Sequence, residues 1–194
     1  YALDTLYTRF PLHEKEVAIR MIAGMSHYKL HSDYAEFNTG SEAYPKYIVD
    51  SPFEPFKDDI LRIERVYDEV GNELPFNDDA ICCAVKTVAY DTIQVINAVE
   101  SNVLFAIYRA SHEYIPSDAN PDEVHLAVPQ SHMEALSYYV ASRAYGSMSS
   151  PVATNKGAEY LQKFENACDL IEKYNLNNNS ENNTNTKPYY GGWI

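Results

Sequence analysis

The chain is short of basic residues and of long apolar runs, and each shortage excludes a class of protein. Only 15 lysines and arginines stand against 28 aspartates and glutamates, so the formal net charge is −13 over 194 residues. A protein that grips nucleic acid through phosphates, or docks on anionic lipid, needs the opposite balance. No run approaches the roughly 18 apolar residues of a membrane-spanning helix. We therefore expect no membrane association and only passive contact with nucleic acid.

Cysteine is also scarce. The chain has Cys82, Cys83 and Cys168, an odd number that forms no disulfide framework. The start of the sequence lacks the basic flank and apolar core of a secretory signal, so we expect reduced thiols in the cytosol. Cys82 is a weak nucleophile candidate, because a thiol in an apolar strand is more often simply buried.

What the chain does contain is an ordinary globular composition. Apolar residues make up 45%, which is enough for a core that needs neither disulfide nor metal. Tyrosine is overused, with 17 copies. Tyrosine is enriched at protein interfaces, although a compositional bias of the source would give the same excess.

Helical signals mark three segments. Apolar residues recur at three- and four-residue spacings over 12–31, which predicts a first helix. Ser131 and Glu134 form a capping-box pattern that predicts a helix over 131–145, with Gly146 as its C-terminal cap. A third helix is expected over 154–174, paired with the second as an antiparallel hairpin. The expected contact residues of this hairpin are Leu136, Val140, Leu161, Phe164, Cys168 and Ile171.

Strand-forming residues concentrate between about 44 and 128. Short strands are predicted at 44–49, 60–67, 81–89 and 124–128. The alternating segment 92–99 and the segment 103–108 flank Ser101-Asn102, which suggests a hairpin. The sequence thus predicts an α+β fold. Its expected parts are an N-terminal helix, a central antiparallel sheet or sandwich, a C-terminal helical hairpin and an extended C-terminal tail.

The end of the chain differs from the rest. We expect one domain over 1–175 and an interaction tail over 176–194. Seven of the eleven residues from 175 to 185 are asparagine, a composition that cannot bury a core. The tail then ends in the only large apolar groups beyond Leu176, which are predicted to bind a partner: Tyr189, Tyr190, Trp193 and Ile194.

Metal-binding patterns in the sequence are weak. His27 and His31 are four residues apart on the first predicted helix, a spacing that zinc sites use, but no HExxH motif or third ligand accompanies them. Asp118, Asn120 and Asp122 alternate oxygens as a calcium loop does, without the glycine and terminal glutamate of that loop. We expect no metal and no cofactor.

Catalytic patterns are weak as well. A hydrolase would draw on His112, His125 or His132 with nearby carboxylates, yet no nucleophile is set beside a base. His132 lies within the capping-box segment and is expected on the surface of the first helical turn. The sequence therefore favours a protein that is not an enzyme.

The remaining signal is a resemblance carried by extended segments rather than by a catalytic motif. Segment 16–34 reads EVAIRMIAGMSHYKLHSDY, and segment 59–76 reads DILRIERVYDEVGNELPF. Segment 102–148 reads NVLFAIYRASHEYIPSDANPDEVHLAVPQSHMEALSYYVASRAYGSM, and ATNKGAEYLQKFENACDLI follows it. This series resembles the adaptor, or head-completion, proteins of tailed bacteriophages, over roughly 12–176. The asparagine- and tyrosine-rich composition is similar to that of crAss-like short-tailed phages. The tail with its PYYGGWI end has no counterpart in the family pattern.

The resemblance implies a structural protein of the virion, assembled in the host cytoplasm. Such proteins form rings, usually of about twelve copies, between portal and tail. The ring extends the DNA channel and provides the platform to which tail proteins attach. An acidic lumen would let DNA slide past, although −13 is equally consistent with ordinary solubility. The alternatives are another tail-hub or tail-terminator protein and, more distantly, a small hydrolase.

Overall fold

A computed structural model describes residues 1–38, 44–78, 84–96, 98–116, 118–120 and 122–174. The chain divides into two compact units. The sheet unit is His13–Glu113, and the helical unit is Tyr1–Leu12 together with the chain from Tyr114 onward. The α+β class is confirmed. The expected domain boundary at 175 and the extended tail stay predictions, because residues from 175 onward lie outside the described ones.

The sheet unit contains two antiparallel sheets. The strands are β1 (Glu14–Arg20), β2 (His27–Lys29), β3 (Ile48–Val49), β4 (Ile60–Tyr67), β5 (Lys86–Ala89), β6 (Thr92–Gln94) and β7 (Val103–Ala110). Their order is β3-β1-β7-β4 in the larger sheet and β2-β6-β5 in the smaller one.

The larger sheet is organised around the pair β1 and β7. Their register runs without interruption from Glu14 opposite Arg109 to Arg20 opposite Val103. Every second residue of β7 is buried, the period of a strand with one face on a core. Residues of both sheets share that core, which includes the fully buried rings of Tyr28 and Tyr47. The two rings meet edge to face at 5.3 Å.

The predicted first helix over 12–31 is wrong. This segment forms β1, a turn and β2, and the N-terminal helix is instead Ala2–Arg9. Val17 and Ile19 are buried and their neighbours are not, which is the two-residue period of a strand. Met21 and Met25 belong to the turn between the strands, where Gly24 adopts φ +77°. Counting them together with the apolar residues of the strands produced a spacing that resembles a helix. The 20-residue segment therefore contains two strands and a turn, which the sequence pattern did not separate.

Two further strand predictions need correction. The expected hairpin of 92–99 with 103–108 does not form, because Thr92–Gln94 pairs with β2 and β5 while Val103–Ala110 pairs with β1 and β4. Segment 124–128 is irregular rather than a strand. The strand at 60–67 is confirmed. Of the strand expected at 81–89, Lys86–Ala89 is observed and 81–83 lie outside the described residues.

The helical unit contains three helices: α1 (Ala2–Arg9), α2 (Met133–Gly146) and α3 (Pro151–Lys173). Tyr145 lies near Tyr160, whereas Tyr139 lies near Phe164, so α2 and α3 run antiparallel as predicted. Helix α1 adds Leu6 and Phe10 to their core. Proline at the first position of α3 suits that site, where its missing N–H has no helical acceptor.

Arg9 fastens α1 to α3. Its guanidinium contacts three carboxylates spaced one turn apart on α3: Glu165 at 2.6 Å, Asp169 at 3.0 Å and Glu172 at 2.9 Å. A planar guanidinium with five donors can serve several carboxylates at once.

The predicted packing of the hairpin is partly wrong. Leu136, Phe164, Cys168 and Ile171 are buried as expected. Val140 and Leu161, however, are 52% and 45% exposed. Tyrosines occupy part of the contact between the two helices, where Tyr138 lies near Tyr160 and Tyr139 near Phe164. Val140 and Leu161 therefore lie outside this contact.

The predicted capping box does not form. A 3-10 helical turn, Gln130–His132, precedes α2, and Ser131 Oγ contacts His132 Nδ1 at 3.0 Å instead of a helix amide. Gly146 is the last helical residue, and the cap is Ser147. Because the 3-10 turn feeds directly into α2, the chain has no extended residue at which a serine could cap the helix.

Candidate interaction surface

The histidine pair proposed from its spacing does not lie on one helix. His27 is in β2, and His31 precedes a 3-10 turn where its Nδ1 accepts a hydrogen bond from Asp33 N. Within the described residues no group of three potential ligands could hold a metal ion. Asn120, of the calcium-like segment, instead hydrogen-bonds Glu123 and the amide of Asp122, as a turn residue does.

The remaining histidine candidates each have an ordinary structural environment. His132 is 1% exposed rather than on the surface, and its ring meets the Phe10 ring edge to face at 4.8 Å. His112 Nδ1 contacts the carbonyl of its neighbour Glu113 in the sheet unit. His125 is exposed on the irregular segment after Tyr114.

The cysteine that the structure describes is unreactive. Cys168, on α3, is fully buried in the core that α3 shares with α1 and α2, and burial raises the pKa of its thiol to about 11. The nucleophile is the thiolate, so a thiol with this pKa is unreactive at neutral pH. Cys82 and Cys83 lie outside the described residues.

The feature that stands out is a cluster of aromatic rings on α2 and α3, which we call the tyrosine face: Tyr138, Tyr145 and Tyr160. The rings of Tyr145 and Tyr160 stack at 5.5 Å with planes 11° apart. Tyr138 lies 6.3 Å from Tyr160. All three side chains are half-buried, so one edge of each ring remains open to solvent. The tyrosine face is thus a pre-ordered aromatic surface.

Charged groups hold the tyrosine face in place. The ammonium groups of Lys156 and Lys163 lie 5.6 Å and 5.1 Å from the ring centres of Tyr145 and Tyr160. These are cation–π distances. Tyr138 Oη donates to Glu134 at 2.8 Å, and this hydrogen bond to the carboxylate raises the pKa of the phenol.

Other large apolar side chains on the same helical pair are also exposed. They are Val140, Val152, Leu161 and Leu170 on the helices, Met148 in the connection between them and Tyr174 just after α3. Single exposed apolar residues need no explanation, but aromatic residues in a stacked group are characteristic of interface centres.

The structure does not describe the tail residues predicted to bind a partner. Tyr189, Tyr190, Trp193 and Ile194 lie in 175–194, outside the described residues. The tyrosine face, in turn, was not among the features predicted from the sequence. A signal was available, because Tyr138 and Tyr145 are seven residues apart and hence on one side of a helix. Their proximity to Tyr160 depends on how α2 and α3 pack.

Comparison with known proteins identifies no family for this chain. No protein-family model matches the chain, and no curated protein sequence matches it. Within the described residues, no helix combines the length and the apolar character that crossing a membrane requires.

Proposed function

We propose that this protein is a structural protein of a tailed-phage virion, forming a ring between portal and tail. The ring would extend the DNA channel and offer the platform for tail attachment. The proposal starts from the segment resemblance set out above, which covers β1, β4, β7 and the helical pair. It assigns no enzymatic activity, cofactor or metal to the chain.

The observation that carries the proposal is the tyrosine face on the helical pair. Stacking of Tyr145 on Tyr160 restricts both side chains before any partner arrives, so less rotamer entropy is lost on binding. Aromatic anchors of this kind contribute most of the binding energy at protein interfaces. A protein built to contact neighbouring copies needs such a surface.

Ring closure adds a geometric requirement. In a ring each copy uses one surface to contact a different surface of the next copy, and the rotation closes the circle. The tyrosine face supplies one such surface. A charge of −13 per copy, repeated around a channel, would repel DNA phosphates and allow sliding.

The test is the oligomeric state of the purified chain, alone and co-expressed with the portal protein encoded in the same genome. Native mass spectrometry and electron microscopy should show a ring, or a ring on the portal. A monomer that neither self-associates nor joins the portal would contradict the proposal.

A matched pair of variants tests the tyrosine face itself. Tyr145→Ser with Tyr160→Ser should weaken assembly at least tenfold while circular dichroism shows folded helices. Tyr90→Ser with Tyr114→Ser removes two exposed tyrosines elsewhere, at 67% and 84% exposure, and should leave assembly unchanged. Equal effects from both pairs would show that the tyrosine face has no special role.

The tail-hub alternative makes a different prediction from the same experiment. A tail-hub or tail-terminator protein would assemble with tail proteins and not with the portal. Its gene would lie among the tail genes, whereas an adaptor gene lies near those for portal and major capsid proteins.

A further inference from the structure

A groove in the sheet unit runs along one edge of β1 and has a volume of about 610 Å³. One wall is formed by five consecutive residues, 13–17, and the other by 48–51 and 54–57. A strand presents consecutive residues to a groove only along its edge, because its side chains alternate between faces. The groove is therefore a slot between β1 and the chain that continues from β3.

Half of this edge of β1 has no strand beside it. Strand β3 pairs only with Ala18 and Ile19. Arg20 N donates to Tyr47 O on the β3 side, whereas His13 O accepts from Ala110 N on the β7 side. Backbone polar groups alternate in direction along a strand, so those of Glu14 and Glu16 face the groove. In the described part of the sheet unit, no strand pairs with them there.

The open edge is regular, unlike the opposite edge of the same sheet. Strand β4 carries two register shifts against β7, and its end is covered where Leu74 N donates to Val66 O. Bulges and coverings of this kind keep an edge from pairing with another chain. Strand β1 has no register shift along Glu14–Arg20. Its edge is in the conformation that accepts a further strand.

The two faces of β1 offer different chemistry to such a strand. On one face, Glu14 and Glu16 are exposed. On the other, Val17 is buried and the groove is lined by Phe56, whose ring centre lies 6.2 Å from that of Tyr108. A strand added here would place alternate residues against carboxylates and against aromatic and aliphatic groups.

The groove has a surplus of negative charge. Its two lysines are already paired, Lys15 with Asp59 at 2.6 Å and Lys57 with Glu113 at 3.4 Å. Four carboxylates also line it: Glu14, Glu16, Asp50 and Glu54. Glu14 contacts Arg65 of β4 at 4.0 Å, the outer limit for an ion pair, so it is only weakly compensated. Burial raises the pKa of Tyr108, and the charges of Asp59 and Glu54 raise it further, as expected next to negative charge.

We propose that the groove binds an extended segment of another protein by strand addition to β1, and that this segment alternates basic and apolar residues. Main-chain hydrogen bonds to Glu14 and Glu16 supply affinity, and the alternation supplies specificity. Basic residues face Glu14 and Glu16, while apolar residues face Phe56 and Tyr108. This inference does not depend on the proposed ring.

The probe is a seven-residue peptide of alternating lysine and valine with blocked ends, titrated into the full-length chain by calorimetry. A peptide of alternating glutamate and valine is the charge control and should not bind. The decisive comparison is between two N-methylated isomers of the lysine peptide. In an antiparallel addition, lysine amides point at β1 and valine amides point away. Methylating the lysine amides should abolish binding, whereas methylating the valine amides should leave it within a factor of three.

Protein variants provide a second test. Glu16→Lys should weaken the lysine peptide at least tenfold. Glu69→Lys makes the same charge change on an exposed turn of the same unit, and its affinity for the lysine peptide should stay within a factor of two of the parent's. Circular dichroism confirms folding of both variants. Failure of the lysine peptide to bind overturns the proposal, and so does equal binding by both methylated isomers, which would indicate charge attraction without strand pairing.

Discussion

Single residues on α3 divide sharply between core and surface, although the sequence groups them in one stripe. Phe164 is 2% exposed and packs against Tyr139 at 5.0 Å, whereas Leu161, three residues earlier, is 45% exposed. We expect Phe164→Ala to lower the free energy of unfolding by about 3–5 kcal/mol, and Leu161→Ala by less than about 1 kcal/mol. Urea titration followed by circular dichroism measures both. Similar losses from the two variants would contradict this assignment of the core face.

Buried acidic protons make stability sensitive to high pH. Burial raises the pKa of Cys168 from about 9 to about 11, and it also raises the pKa of Tyr47 and Tyr108. Above pH 9 the unfolded chain releases these protons first, so it binds fewer protons than the native chain and stability falls as pH rises. We expect a lower free energy of unfolding at pH 10.5 than at pH 8.

Cys168→Ala isolates the contribution of the thiol. This variant starts less stable, but its loss between pH 8 and pH 10.5 should be smaller than that of the parent. The losses of the two proteins should differ by no more than about 2 kcal/mol. This is the free energy that a pKa shift from about 9 to about 11 contributes when the thiol is only partly titrated at pH 10.5. An identical pH dependence in the two proteins would show that the thiol does not contribute.

The close approach of α2 and α3 depends on glycine at the crossing. A Cβ at Gly157 would lie 3.1 Å from Gly146 N and 3.2 Å from Ser142 O, both backbone atoms, whereas a Cβ at Gly146 meets nothing within 4 Å. Alanine favours a helix over glycine by about 1 kcal/mol at either position. At position 157 the helices must also separate. Gly157→Ala should therefore be less stable than Gly146→Ala by about 1–3 kcal/mol. Thermal unfolding measures this, and equal stability would mean that the helices yield without cost.

The attachment of α1 rests partly on one guanidinium. Arg9→Ala leaves Glu165, Asp169 and Glu172 as adjacent like charges on α3, and we expect a loss of about 1–2 kcal/mol. Arg9→Lys should restore less than half, because an ammonium cannot reach three carboxylates. In 1 M NaCl the difference between parent and Arg9→Ala should shrink through screening. A difference unaffected by salt would point to lost packing rather than charge.

At the scale of the whole molecule, the aromatic end of the chain is predicted from the sequence to be a second contact with another protein, besides the tyrosine face. Deleting Tyr189–Ile194 should leave the melting temperature of the subunit unchanged. The asparagine-rich segment that joins these residues to the subunit cannot offset the entropy cost of being ordered against it. Assembly should weaken, because the deletion removes the aromatic anchors. Calorimetry and native mass spectrometry measure the two effects. Unchanged assembly by the truncated chain would show that the tip binds no partner.

Local sequence determined the elements whose signal is short and strong. The strand at 60–67 is dense in β-branched residues, and α3 carries a regular apolar stripe, so both were predictable from neighbouring residues alone. The α+β class followed from the same signals. Three predicted contact residues of α3 are buried, and they lie at helical spacing for the same reason: Phe164, Cys168 and Ile171.

Tertiary structure decided what depends on residues far apart in the chain. Segment 12–31 became two strands because β7 and β6 supply ladder partners for it, and no window of neighbouring residues contains that information. His132 is buried because Phe10, more than 100 positions earlier, packs on it. The tyrosine face joins two helices, and the open edge of β1 exists because β3 is only two residues long. The tyrosine face results from helix packing and the open edge from strand pairing. Both kinds of contact join residues that are far apart in the sequence.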